Sequence, residues 1–186
     1  MPTLFPNSVR RDARVMLFAD GENLAIRYGK MLSKKGGIPF KHVRYRPDVY
    51  VWSPKLNSCM NVTVIRKHYY TALRGDEALR DTVEQERKDA GIEAPRVFKK
   101  TKERGSKRVD VSLTTDMLAH AARRNYDVAV LVAGDEDYVP LVEAVKAEGC
   151  RVVLWFVSDG LSNALKMSAD YCNDIGKTVL FSESVQ

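Results

Sequence analysis

Carboxylate and amide side chains follow two short apolar runs that lie far apart in this chain of 186 residues. Asp20 and Asn23 come after the first run, and Asp135 and Asp137 come after a later one. Asp110 begins a separate stretch with helical periodicity. Carboxylates that meet at one site repel one another unless a cation neutralises them. Oxygen-only ligands suit a hard divalent ion, Mg²⁺ or Mn²⁺, which can activate water for phosphodiester hydrolysis.

Each of these acids also has an ordinary structural explanation, because Asp is common in turns and at helix N-caps. Asp20 precedes a glycine, and Asp110, Asp135 or Asp137 could each cap a helix. The joint pattern favours a site, since Asp135 and Asp137 cannot both cap one helix. Asp116 lies six residues after Asp110, about 240° around a helix. It either approaches the same site from an adjacent angle or is a solvated charge.

The side chains that would indicate zinc or disulfide bonds do not occur at suitable spacing. The three histidines are scattered and show no HxxxH pattern, so zinc is not indicated. Cys59, Cys150 and Cys172 are an odd number of cysteines without a CxxC pair. This pattern favours neither a disulfide framework nor a thiolate metal site. We therefore expect a reduced, cytoplasmic protein.

Basic residues cluster between Arg96 and Arg108, where seven Lys or Arg residues accompany one Glu. A solvated loop is the default interpretation of such a run. Here, however, the run leads directly into Asp110, and cations beside a carboxylate site are what a phosphate backbone would require. We therefore predict nucleic-acid contacts from the following residues: Arg66, Lys67, Lys99, Lys100, Lys102, Arg104, Lys107 and Arg108.

The elements that must position these groups alternate between short apolar runs and helical stretches. The pattern predicts strands at 15–19, 62–71, 96–98, 128–133, 151–156 and 177–181, with helices at 22–32, 76–90, 109–125, 138–148 and 161–169. Strands separated by helices imply right-handed crossovers and a parallel sheet. We therefore predict an α/β fold with three layers and a doubly wound, mainly parallel sheet. Ligands of such sheets bind beyond the carboxyl ends of the strands, where the acidic residues fall.

Composition limits the chain to one ordinary domain. Hydrophobic residues make up 45% and charged residues 29%, with a formal charge of +6 that weakly favours polyanionic partners. No apolar run approaches the roughly 20 residues of a membrane span, and no signal-peptide layout is present at the N-terminus. We predict an N-terminal extension at 1–13, a single domain at 14–181 and a tail at 182–186. Residues 38–61 are expected to form an irregular, partly helical excursion.

Three sequence segments resemble a known family. VMLFADGENL, VDVSLTTDML and GDEDYVPL together are similar to the NYN domain, a branch of the PIN-like ribonuclease superfamily, and to its LabA-like group. The resemblance extends from about Arg14 to Ile175. It implies a PIN-like, Rossmann-like fold and a metal-dependent endoribonuclease that binds RNA and Mg²⁺ or Mn²⁺.

The resemblance also implies roles for individual residues. The acids that match Asp20, Asp110, Asp135 and Asp137 ligate one or two metal ions in the family, and Asp116 matches a recurrent Asp. The residue matching Asn23 orients the first Asp or a metal-bound water. One departure is Ala133, where family members often carry Ser or Thr. Loss of that hydroxyl group is expected to weaken the orientation of metal or substrate, although every carboxylate remains.

Hydrolysis of RNA by a metal-activated water is the leading hypothesis. The alternative is a catalytically weak or inactive module that binds RNA or protein on the same fold. A receiver-type phosphoacceptor domain is disfavoured because the first strand ends in one Asp and no Lys-Pro follows the last strands. A haloacid-dehalogenase-type phosphatase is disfavoured because Asp20 is not part of a DxD motif. The RNA class, any cleavage preference and a homodimer remain open at this level.

Overall fold

A computed structural model describes residues 12–58, 62–100 and 107–182 of the chain. In these ranges the strands are β1 (Val15–Asp20), β2 (Arg44–Arg46), β3 (Tyr50–Trp52), β4 (Val64–Leu73), β5 (Ala94–Lys99), β6 (Val128–Val132), β7 (Arg151–Phe156) and β8 (Tyr171–Asp174). Six of them form the central sheet in the order β5-β4-β1-β6-β7-β8, and every neighbouring pair is parallel. The predicted parallel sheet is therefore confirmed.

The helices are α1 (Gly21–Lys34), α2 (Lys55–Ser58), α3 (Glu77–Lys88), α4 (Lys107–Ala122), α5 (Val139–Ala147) and α6 (Asn163–Ser168). One face of the sheet packs against α1, α3 and the β2–β3 hairpin, and the other packs against α4, α5 and α6. The result is the predicted three-layer α/β architecture. Within the described ranges, no helix combines the length and apolar character needed to cross a bilayer.

The sequence of β1 shows how the two cores are divided. Successive side chains of a strand point to opposite faces of the sheet. Leu17 and Ala19 accordingly join the core beneath α1 and α3, while Met16 and Phe18 join the core beneath α4 and α5. Every residue of β1 is buried, because helices cover both faces.

The prediction of a last strand at 177–181 is wrong. The last strand is β8, which lies earlier in the chain, and it is followed by a π-helical segment, Gly176–Leu180. Asp174 starts this turn, since its carboxylate accepts the backbone N–H of Lys177 at 3.2 Å. The hydroxyl group of Thr178 also donates to the carbonyl of Asp174 at 2.9 Å. These local bonds outweigh the β propensity of the apolar residues that follow.

The excursion at 38–61 is helical only at α2. Its main feature is the antiparallel hairpin of β2 and β3, with residues 59–61 outside the described ranges. The hydroxyl group of Tyr69 on β4 donates to the Val51 carbonyl at 3.0 Å and accepts the Val51 N–H at 3.1 Å. Trp52 packs edge-on against the Tyr69 ring, with ring centroids 5.9 Å apart. The buried guanidinium of Arg87 lies over the ring of Tyr50, which fastens the hairpin to α3.

We predict that Tyr69→Phe destabilises the fold by about 1–3 kcal/mol, because the substitution leaves two buried polar groups of Val51 without a partner. Urea unfolding measures the change. Tyr45→Phe is the matched control, since the Tyr45 hydroxyl group makes no hydrogen bond within the described residues. This substitution should change the free energy of unfolding little. Equal losses in the two variants would contradict the role assigned to Tyr69.

Candidate active site

The two strands that carry the acidic turns are neighbours, since β1 lies between β4 and β6. From β1 the chain continues to β4 on one side, whereas from β6 it continues to β7 on the other. The strand order therefore reverses between β1 and β6, and a crevice forms there beyond the carboxyl ends of the strands. Asp20 ends β1, and Asp135 follows β6 after Ala133 and Gly134, so both acids border this crevice.

The hydroxyl group of Tyr138 joins Asp20 to Asp110. Its oxygen lies 3.0 Å from Asp20 Oδ2 and 3.0 Å from Asp110 Oδ1. Asp110 comes from the first turn of α4, and Tyr138 ends a short 3₁₀ turn, Glu136–Tyr138. A hydroxyl group has one proton, so it can donate fully to only one carboxylate. The other carboxylate must be protonated or neutralised in some other way.

Asn23 connects the first acidic turn to the second. Its side-chain amide donates a short hydrogen bond to Asp135, and its backbone N–H donates to Asp20 Oδ1 at 3.0 Å. The side-chain oxygen of Asn23 is buried and has no hydrogen-bond partner among the described residues. Asn23 thus positions two carboxylates and leaves one acceptor oxygen unsatisfied, which is the kind of group that a cation or water can bind.

Helix capping accounts for only part of this arrangement. Asp20 is the N-cap of α1, so its carboxylate has a structural role in addition to the role predicted for it at the site. Asp135 occupies the N-cap position of the 3₁₀ turn, but its side chain makes no capping hydrogen bond. Asp110 lies inside the first turn of α4, which begins three residues earlier at Lys107. The side chains of Asp110 and Asp135 are therefore not accounted for by capping.

Burial, and then the charges of neighbouring acids, raise the pKa values of Asp20 and Asp110. Burial is the main reason that the pKa of Asp20 rises to about 7, and the charges of Asp110 and Glu22 raise it further against the hydrogen bonds from Asn23 and Tyr138. The pKa of Asp110 is also raised, first by lost hydration and then by the charges of Asp135 and Asp137. The site therefore tends to hold a proton near neutral pH, and a cation could take the place of that proton.

Two of the predicted site residues lie at the margin of this cluster. Asp137 is exposed on the 3₁₀ turn and influences the cluster through its charge on Asp110. Asp116 makes other contacts: it accepts the Tyr70 hydroxyl group at 2.8 Å and pairs with Arg96 at 3.1 Å. Helical spacing predicts that Asp116 and Asp110 lie on different faces of α4. Their different partners in the structure agree with this prediction. Its role as a metal ligand stays a prediction.

The predicted nucleic-acid contacts differ in their availability. Lys67 is buried and pairs with Glu93 at 2.5 Å, so the structure does not support it as a contact. Lys100 pairs with the buried Glu22 at 2.5 Å and stands beside the acidic cluster. The exposed members are Arg66, Lys99 and Arg108. Lys102 and Arg104 lie outside the described residues, as does the side chain of Lys107.

Sequence analysis missed three contributors to the site. Tyr138 looked like an apolar helix residue, yet its hydroxyl group bridges two acids. Glu22 is buried beside Asp20, and one of its carboxylate oxygens has no hydrogen-bond partner among the described residues. Arg27 lies 3.9 Å from Asp135. Of these three residues, only Glu22 had a sequence signal, because it stands between Asp20 and Asn23 of the predicted site.

The donor set is compatible with a hard dication. All the candidate ligands are oxygens, and the unsatisfied oxygens of Asn23 and Glu22 add to them. As arranged, however, the oxygens of Asp20 and Asp110 face Tyr138, and among the described residues no three acidic, His or Cys side chains surround a common point. Binding of an ion would therefore use the other oxygen of each carboxylate or compete with the Tyr138 hydroxyl group.

The first prediction from this geometry concerns pH. The pKa of Asp20 is raised by folding from 3.8 to about 7, so the folded protein binds the extra proton and stability falls as pH rises between these values. Asp20→Asn removes this loss. Between pH 5 and 8, without divalent ions, we expect wild type to lose roughly 2–3 kcal/mol more stability than the variant. Parallel pH dependence in urea unfolding would contradict the raised pKa.

The second prediction concerns Tyr138. Tyr138→Phe removes the shared proton donor, so the variant should be less stable than wild type by about 1–3 kcal/mol without divalent ions. Added Mn²⁺ should stabilise the variant more than wild type, because the carboxylates no longer have a competing partner. Thermal unfolding with increasing Mn²⁺ measures both effects. Tyr126→Phe, which loses a buried bond to the Met117 carbonyl, should respond to Mn²⁺ as wild type does.

Comparison with known proteins identifies the family of the chain and a similar fold. The NYN domain family model matches residues 14–176. No curated protein matches the sequence significantly. The fold is similar to the crystal structure of a protein of unknown function from Vibrio parahaemolyticus, with a TM-score of 0.62 and 19% identity over 90% of this chain and 96% of that chain. Since the family match covers most of the sequence, the chain belongs to the NYN domain family of the PIN-like superfamily.

Proposed function

We propose that this chain is a metal-dependent endoribonuclease of the LabA-like group. The observation that carries the proposal is the hydrogen-bonded linkage of three carboxylates from separate parts of the chain at the strand-order reversal. Asp20 comes from β1, Asp110 from α4 and Asp135 from the turn after β6, and Tyr138 and Asn23 link them by hydrogen bonds. Such a cluster has a large electrostatic cost, which a bound dication would offset.

The family supports the same chemistry. PIN-like nucleases typically use divalent metal ions, and NYN nucleases act on RNA. We propose that Asp20, Asp110 and Asp135 hold Mg²⁺ or Mn²⁺, with Asp137 as a further ligand from the exposed side. Such an ion would lower the pKa of a water molecule and neutralise charge on the phosphate.

The proposed hydrolysis exchanges one P–O bond for another. The oxygen of a water molecule bonds to phosphorus and loses one proton, one P–O ester bond breaks, and the departing sugar oxygen gains one proton, so no net proton is released or consumed in bond exchange. Asn23 would keep Asp20 and Asp135 in place through its two hydrogen bonds. Asp116 and Arg96, which pair on the side of α4, would act through position and charge rather than by direct contact with the reacting atoms.

Incubation of the purified protein with labelled single-stranded RNA and Mn²⁺ or Mg²⁺ tests this function. Cleavage should disappear with EDTA and fall by more than about 100-fold in Asp20→Asn and Asp110→Asn, since even supporting residues of metal sites cost 10–100-fold. Asp81→Asn, which alters an exposed acid on α3, should cleave as wild type does. Asp116→Asn tests whether Asp116 is a metal ligand or a supporting residue. A supporting role predicts a smaller loss of cleavage than in Asp20→Asn and Asp110→Asn.

Two outcomes would overturn the proposal. Cleavage that persists unchanged in both Asp20→Asn and Asp110→Asn would exclude the acidic cluster as the active site. Metal-independent RNA binding without cleavage at any metal concentration would favour the non-catalytic module instead. Two features would then explain inactivity. Position 133 is Ala and lacks a hydroxyl group, and the Tyr138 hydroxyl group occupies oxygens of Asp20 and Asp110.

A further inference from the structure

A row of polar and basic side chains leads away from the acidic cluster along α1. Asn23, Arg27, Lys30 and Lys34 fall within about 60° of one another around the helix axis, at 100° per residue. They extend over about 16 Å, at 1.5 Å per residue. Asn23 at one end bonds to Asp135, while Lys30 and Lys34 are exposed. We call Arg27, Lys30 and Lys34 the α1 tract.

The α1 tract lines two cavities that share Arg27. The first, of about 450 Å³, is bounded by Arg27, the acidic turn at 134–137 after β6, and the loop at 160–162 before α6. The second, of about 360 Å³, is bounded by Arg27, Lys30, Ser33, Lys34 and Asp159. Arg27 borders both cavities, and we call the two together the groove: one part reaches Asp135 and the other lies beside α1. The groove thus connects the candidate active site with the tract.

Arg27 is held in the wall of this groove by close packing. Gly160 has φ of +110°, which favours glycine, and a Cβ atom there would lie 2.6 Å from Arg27 Cδ and 2.9 Å from Arg27 Cζ. The loop is itself fixed to the acidic turn, since the Ser162 N–H donates to the Gly134 carbonyl at 2.9 Å. The guanidinium group of Arg27 is therefore placed before any ligand arrives, which reduces the entropy that binding would cost.

We propose that the α1 tract binds the phosphate backbone of a single RNA strand as it leaves the active site. The proposal rests on the nuclease function above and adds the path of the substrate. Arg27 would contact the phosphate nearest the acidic cluster, and Lys30 and Lys34 would contact the phosphates that follow. Cations at this spacing beside a groove are the arrangement by which proteins follow a nucleic-acid backbone.

The existing ion pairs of the tract would not prevent this binding. Arg27 lies 3.9 Å from Asp135, and Lys34 pairs with Asp159 at 3.0 Å, with both partners of the latter pair largely exposed. Exposed pairs are worth only about 0–1 kcal/mol, so a phosphate can replace Asp159 as the partner of Lys34. Lys30 has no ion pair among the described residues.

The arrangement of the tract favours one strand over a duplex. The tract is a single row of cations along one helix, which suits the single phosphate backbone of one strand. The exposed cations Lys99 and Arg108 lie on the other side of the acidic cluster, near the end of β5 and the start of α4. A strand could therefore enter past β5, cross the carboxylates and leave along α1.

Salt-dependent binding tests the tract separately from cleavage. Fluorescence anisotropy with a labelled single-stranded RNA in EDTA, at 50–300 mM KCl, gives the affinity and its salt slope. For single strands each phosphate contact contributes about 0.7 to the slope, so replacing Arg27, Lys30 and Lys34 by Ala should lower the slope by about 2. Arg27→Ala alone should lower it by about 0.7.

The matched control removes the same charge elsewhere. Lys88, Arg123 and Lys146 lie at or just beyond the C-terminal ends of α3, α4 and α5, at the edge of the sheet opposite the carboxylates. Replacing these three residues by Ala should leave the slope within about 0.5 of wild type, since they contact no phosphate in the proposed path. An equal fall of the slope in both triple variants would mean that net charge alone governs binding and would overturn the proposal.

Lysine acetylation of the wild-type protein gives a second measurement without any substitution. RNA should protect Lys30 and Lys34 from an amine-reactive reagent and leave Lys88 and Lys146 unprotected. Lack of protection at Lys30 and Lys34 would overturn the tract while leaving the nuclease function intact if RNA is still cleaved. Equal affinity for duplex RNA would overturn the single-strand assignment, and no RNA binding even at 50 mM KCl would overturn the tract, whereas the cleavage assay with Mn²⁺ or Mg²⁺ decides the nuclease function.

Discussion

One hydroxyl proton between two carboxylates is the central constraint of this structure. Asp20 and Asp110 both approach the oxygen of Tyr138 to 3.0 Å, and the proton of that group cannot satisfy both. Because Asp20 is buried, the cost of its charge is not reduced by water. The site therefore stores electrostatic strain that a proton relieves at low pH and a dication would relieve at higher pH. The pKa of Asp20 is raised mainly by this burial and then by the charge of Asp110, while the hydrogen bond from Tyr138 lowers it.

The rest of the fold keeps these groups from moving apart. Helices cover both faces of β1, and the hairpin of β2 and β3 is fastened to β4 by the hydroxyl group of Tyr69. Asn23 ties the start of α1 to the turn after β6. Gly134 packs against the Phe156 ring so closely that a Cβ atom would lie 2.2 Å from it. Close packing of this kind makes it costly for the acids to separate.

Charge is distributed unevenly around the acidic cluster. Two cations that look available in the sequence, Lys67 and Lys100, are taken by Glu93 and Glu22. Cations on α1, which look like an ordinary solvated helix face in the sequence, instead line a groove that begins at Asp135. The proposed path for a polyanion thus follows cations whose ion pairs are at least partly exposed or that have none among the described residues, rather than the stretch where basic residues are most numerous.

The sequence by itself determined the parallel α/β fold, because apolar runs separated by amphipathic helices leave few other arrangements. It also determined that Asp20, Asn23 and Asp135 approach one another, since residues after parallel strands share one edge of the sheet. It did not determine β8 or the β2–β3 hairpin, where hydrogen bonds from Asp174 and Tyr69 override the local pattern. Only the tertiary structure decided the roles of Tyr138, Glu22 and Arg27. Their partners are distant in the chain, and sequence spacing carries no information about which side chains will face each other across a crevice.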